Sequence, residues 1–173
     1  NDMIPRRALL AASSLATATR ANDAITVGVI GTGNRGSFVA AMLHKNTPGR
    51  VVALCDVVPA HMESAKKQIG VDNPRLYTDF HKLLASDVDA LIIATPVFLH
   101  AGHFEAAVKS GKHIYIEKPA SMDVEGCKRI MRAADAADRK INITFGFQRR
   151  YGQVYQKAKQ LADSRSEEHT SEL

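Results

Sequence analysis

From residue 25 onward, short unbroken apolar runs alternate with stretches of helical spacing. Residues 25–30, 51–55, 90–94, 113–116 and 141–145 are compact runs, as strands of a parallel sheet covered on both faces should be. Residues 75–77 add a short strand candidate. Between the runs, apolar residues recur three and four positions apart. Val39, Met42 and Leu43 mark one helix, and Met62, Ala65 and Ile69 a second, opened by Pro59 and closed by Gly70. Phe80, Leu83 and Leu84 follow Asp79, a capping residue, and Phe104, Ala107 and Val108 precede Gly111. Cys127, Ile130, Met131 and Ala134 belong to a long helix that Ser121 can cap. Asp123 and Glu125 in its first turn and Arg139 and Lys140 at its far end suit the helix dipole. This alternation predicts an α/β fold built on a doubly wound parallel sheet.

The turn after the first run reads Gly31, Thr32, Gly33, Asn34, Arg35, Gly36, a GxGxxG sequence between a strand and a helix. The second run ends in Asp56, 20 residues beyond Gly36. Glycine-rich loops produce GxGxxG by chance. A strand before it, a helix after it and an acid at the next strand end make it the dinucleotide fingerprint. Gly31 permits the tight turn, Gly33 leaves room for a pyrophosphate, and Gly36 brings the helix close to the sheet. The helix N-terminus offers N–H groups to phosphates, and Arg35 is a further candidate phosphate contact. Asp56 can accept both adenosine ribose hydroxyls and repels a 2′-phosphate. Val57 and Val58 supply no compensating cation, so NAD is favoured over NADP.

Two further strand ends face the same crevice: Thr95-Pro96, and Glu117-Lys118-Pro119. A lysine at that edge can serve as a point charge and proton donor beside a nicotinamide.

Composition removes other classes. The net charge is +5, but the basic residues are scattered, aromatics make up 6% and Trp is absent, which argues against nucleic-acid binding. Cys55 and Cys127 form no zinc or redox spacing and read as small core residues. His100 and His103 stand three apart on a helix, yet only Glu105 lies near them as a further ligand type. They read as a cleft histidine beside a surface histidine, and no metal is expected. No G-x-S-x-G elbow is present, which argues against a serine hydrolase.

The ends differ from the middle. In residues 1–23, Arg6-Arg7 precede a mild apolar stretch and Ala16-Thr17-Ala18, resembling a twin-arginine export signal too short to span a bilayer. Export to the periplasm is expected, with a cytoplasmic location as the alternative. Residues 165–173 look like a translated sequencing adapter and are expected to lie outside the fold, with the natural chain continuing beyond Ser164.

The glycine loop, Asp56, Ala94-Thr95-Pro96 with His100, Gly111-Lys112-His113, Glu117-Lys118-Pro119 and residues 146–151 together resemble the glucose-fructose oxidoreductase/inositol dehydrogenase (Gfo/Idh/MocA) family. The resemblance covers roughly residues 25–161. It implies a Rossmann domain over 24–146, the start of a second α+β domain over 147–164, and most of that second domain missing from this chain. It implies NAD-dependent hydride transfer with a sugar or polyol, with Lys118 as the catalytic-site lysine. Glu117 and Pro119 would shape the nicotinamide pocket, and Thr95, Pro96 and His100 would line the cofactor cleft. Arg149 and Tyr151 become candidate cofactor or substrate contacts. The family's second-domain catalytic Asp and His have no counterpart before Ser164, so this chain alone is not expected to turn over. The full-length form is expected to be a homo-oligomer. Two alternatives stay open: an NAD-dependent redox-assisted glycosidase, from which Lys118 tilts the reading away, and a non-catalytic dinucleotide-binding module.

Overall fold

A computed structural model describes residues 24–164. The export-signal and adapter readings fall on residues outside that range. Among the described residues, six strands form one sheet in the order β3-β2-β1-β4-β5-β6. They are β1 (Thr26–Ile30), β2 (Arg50–Cys55), β3 (Arg75–Tyr77), β4 (Ala90–Ile93), β5 (His113–Ile116) and β6 (Ile143–Phe145), and every pairing is parallel. The helices are α1 (Asn34–Asn46), α2 (Pro59–Ile69), α3 (Phe80–Leu84), α4 (His100–Lys109), α5 (Val124–Asp135) and α6 (Gln153–Ser164).

Strand alternation divides the apolar runs between two cores. Val27, Val29, Leu54 and Ile92 pack with Ala40, Met62, Ala65 and Ile69, under α1 and α2. Ile30, Cys55, Leu91 and Ile93 pack with Leu83, Phe104 and Ile130, under α3, α4 and α5. The strand order reverses between β1 and β4, where a crevice opens at the carboxyl ends of the strands.

Several local expectations need correction. Helix α1 buries Gly36, Ser37, Ala40 and Ala41, whereas Met42 is exposed, because small residues let the helix approach the sheet closely. The cap of α5 is Asp123, whose carboxylate accepts the Gly126 N–H at 2.7 Å, rather than Ser121. That helix stops at Asp135, short of Arg139, and its Met131 is exposed. Strand β6 spans three residues rather than five. After it, a 3-10 turn (Gln148–Tyr151) leads into α6, which buries none of its residues.

Candidate functional site

Gly31 leaves β1 with φ of 86°, a backbone conformation that side chains rarely tolerate. Its N–H donates to the Cys55 carbonyl at 2.8 Å, pinning the turn to β2. A Cβ at Gly36 would overlap the Gly31 carbonyl oxygen. A Cβ at Gly33 would meet nothing within 4 Å, so that position is open on its outer side. No side-chain hydrogen bond caps α1, so its first-turn N–H groups, which lack intrahelical partners, are available to an anion.

Asp56 stands against this loop. Its Oδ2 accepts the Thr32 N–H at 2.8 Å and the Thr32 hydroxyl at 3.2 Å. Its Oδ1 accepts the Val58 N–H at 2.9 Å and lies 3.3 Å from His61 Nδ1. Partial burial opposes ionisation, but the Val58 and Thr32 bonds and the nearby His61 outweigh it. The carboxyl is held below its ordinary range.

Beside Asp56 lies a cleft of about 550 Å³, walled by Val57, Phe80, Pro96, Phe98, Leu99 and His103 and floored by Gly31. Its mostly apolar lining, with the Asp56 and Asp79 carboxylates among it, fits an adenosine. The histidines exchange the places that sequence suggested. His100 is 1% exposed and does not line the cleft; its Nδ1 lies 2.9 Å from the Pro119 carbonyl oxygen and its Nε2 2.9 Å from that of Thr95. It ties together the two loops that leave β4 and β5. His103, read as a surface residue, is buried against the cleft, 3.1 Å from the Thr95 hydroxyl and with its ring centroid 4.2 Å from that of Phe80. Burial, with His100 and His81 nearby, pushes its basicity down and favours a neutral ring. No cluster of three metal-ligating side chains occurs among the described residues.

Glu117 does not face the open cleft. It is 4% exposed, and its Oε1 accepts from Arg35 Nε at 2.8 Å, Arg35 Nη2 at 2.7 Å and the Tyr115 hydroxyl at 2.8 Å. Its Oε2 accepts the Lys118 N–H at 3.1 Å. Burial works against its charge, but Arg35 and Tyr115 prevail and lower its pKa, while the Tyr115 hydroxyl is pushed up to about 12, chiefly by burial. Arg35 therefore has a protein carboxylate as its ionic partner. Lys118 is exposed just past β5, followed by a cis bond to Pro119. It borders a second cleft of about 330 Å³ with Phe147, Gln148, Arg149 and Arg150. Tyr151 lies outside that lining and is exposed. Sequence reasoning missed Tyr115 and His61; the helical position of His61, five residues after Asp56, was the available signal for the latter.

The family described as "Oxidoreductase family, NAD-binding Rossmann fold" (GFO_IDH_MocA) matches residues 25–145. The inositol 2-dehydrogenase of Agrobacterium fabrum is 33% identical over 142 residues, covering 82% of this chain and 42% of that protein. That of Pseudomonas savastanoi pv. phaseolicola is 34% identical over 148 residues, with the same coverage of 82% and 42%. Among solved structures, myo-inositol dehydrogenase from Lactobacillus casei in complex with NAD(H) and myo-inositol superposes with a TM-score of 0.76 at 31% identity. That match covers 83% of this chain and 42% of that one. Scyllo-inositol dehydrogenase from the same organism, with bound NAD(H) and scyllo-inositol, gives 0.70 at 30% identity, again with 83% and 42% coverage. The chain thus spans about 42% of the length of these relatives. The glycine turn, the open helix N-terminus and the Asp56 edge are the parts that an NAD requires, and this chain belongs to the Gfo/Idh/MocA oxidoreductase family as an NAD-binding Rossmann domain.

Proposed function

We propose that this chain is the cofactor-holding part of a dehydrogenase that oxidises a hydroxyl of a sugar or polyol of the inositol type. The observation that carries this reading is Lys118, exposed at the end of β5 on the carboxyl edge that also carries the glycine turn. The inositol 2-dehydrogenase relatives give the substrate class. Bound NAD supplies the hydride acceptor at nicotinamide C4. The α1 N-terminus and the Gly31–Gly36 turn hold the diphosphate, Asp56 takes the adenosine ribose, and Phe80, Phe98 and Leu99 cover the adenine. Lys118 Nζ donates a hydrogen bond to the substrate oxygen and holds charge there as the hydroxyl proton leaves toward solvent and the carbinol C–H departs as hydride. Glu117 acts on Lys118 through its backbone N–H. Arg149, beside Lys118, is a candidate substrate contact. Turnover is proposed for a protein that also supplies the length present in the relatives, and cofactor binding alone for this chain.

The test is deuterium transfer. An inositol deuterated at the reacting carbon should yield deuterated NADH with the complete protein. Lys118→Ala should retain NAD affinity and lose turnover by about 10²-fold or more. Absence of net NADH formation with every sugar or polyol would overturn the dehydrogenase reading, and glycoside cleavage without free NADH would assign a redox-neutral glycosidase instead.

A further inference from the structure

We propose that His61 sets the discrimination between a 2′-hydroxyl and a 2′-phosphate at the adenosine ribose; this rests on the assignment of the ribose to Asp56. A carboxylate offers about four lone-pair positions. On Asp56 four protein contacts occupy them: the Thr32 N–H at 2.8 Å, the Thr32 hydroxyl at 3.2 Å, the Val58 N–H at 2.9 Å and His61 Nδ1 at 3.3 Å. A ribose brings two further hydroxyl donors, so a contact must yield. The Thr32 and Val58 N–H groups are fixed by the backbone, and Thr32 is 2% exposed between the loop and β2. His61 makes the longest of the four contacts, and its side chain is 51% exposed. It sits in the first turn of α2 and can swing away without disturbing the strand or the glycine turn.

The ring therefore occupies the ribose-binding position on Oδ1 and competes with a 2′-hydroxyl for it. Once displaced, it remains tethered five residues from Asp56, beside the ribose edge, where an imidazole N–H can donate to a phosphate oxygen. It disfavours the hydroxyl and favours the phosphate, moderating the selectivity that Asp56 imposes. Val57 and Val58, the residues that directly follow Asp56, have no such chemistry.

Calorimetric titration of the protein with NAD and NADP, in its native form and as His61→Ala and His61→Arg, tests this. His61→Ala should tighten NAD about two- to fivefold, the range that one exposed polar contact is worth, and weaken NADP. His61→Arg should lower the NAD-over-NADP preference by about fivefold or more. Any other pattern, including a ratio within about twofold of native in both variants, overturns the proposal. Asp56→Asn reads the underlying assignment separately. If it leaves NAD affinity intact, the ribose site itself is misplaced; if it weakens NAD while the His61 variants do not respond, only the role of His61 falls.

Discussion

Arg35 and Glu117 are 82 residues apart in sequence, and Arg35 Nη2 lies 2.7 Å from Glu117 Oε1. The guanidinium comes from the first turn of α1 and the carboxylate from the end of β5. The pair thus ties the Gly31–Gly36 turn to the segment that presents Lys118. Glu117 also accepts the Lys118 N–H, so one carboxylate contacts both segments.

Arg35→Ala should cost stability, because it leaves a buried carboxylate with only Tyr115 and the Lys118 N–H. Arg35 is itself about half in solvent, so we expect about 1–2 kcal/mol rather than the value of a fully buried pair. Urea denaturation at neutral pH measures it. The acid limb carries a second signature. The folded state lowers the Glu117 pKa, so the unfolded chain binds more protons below the ordinary glutamate range. The contribution is full above that range and is lost as pH falls through the lowered folded pKa. Native stability should fall more steeply there than that of Arg35→Ala.

Two glycines of the turn should separate folding from binding. Gly36→Ala forces a methyl into the Gly31 carbonyl and should destabilise the fold by about 3 kcal/mol. Gly33→Ala meets no protein atom and should leave the melting temperature nearly unchanged. Its methyl points into the space proposed for the diphosphate, so NAD affinity should drop about tenfold or more. Thermal melts and NAD titrations of both variants check the contrast.

The sequence made legible what depends on short spacing. The glycine turn and the apolar strand runs are each contiguous stretches, and Asp56 closes one of those runs. The structure forms the turn, sets Asp56 against it and makes strands of the runs, with β6 shorter than read. What depends on the rotation of a helix or on long-range pairing was hidden. His100 and His103 share one face by spacing, but spacing does not say which ring meets the Thr95 and Pro119 carbonyls and which meets the cleft. Arg35 read as a phosphate contact because its partner, Glu117, arrives only when β4 and β5 stack beside β1. Ser121 and Asp123 are both good caps by residue type, and only the folded chain shows that the Asp123 carboxylate accepts the Gly126 N–H.

Cys55 should be inert in the folded protein. It is 3% exposed, and burial, with Asp56 and Asp79 nearby, pushes its thiol up to about 12. At pH 8 a thiol reagent should modify it only as the protein unfolds. Rapid labelling of native Cys55, read by mass spectrometry of its peptide, would show that β2 opens far more readily than its packing implies.

The central claim is that the Gly31–Gly36 turn and Asp56 together hold NAD. Isothermal titration of the folded protein with NAD, alongside Asp56→Ala, tests it most directly. One binding event per chain, weakened about 10- to 100-fold in the variant, is the predicted result. Absence of heat with both NAD and NADH, or equal affinity in the variant, would contradict it.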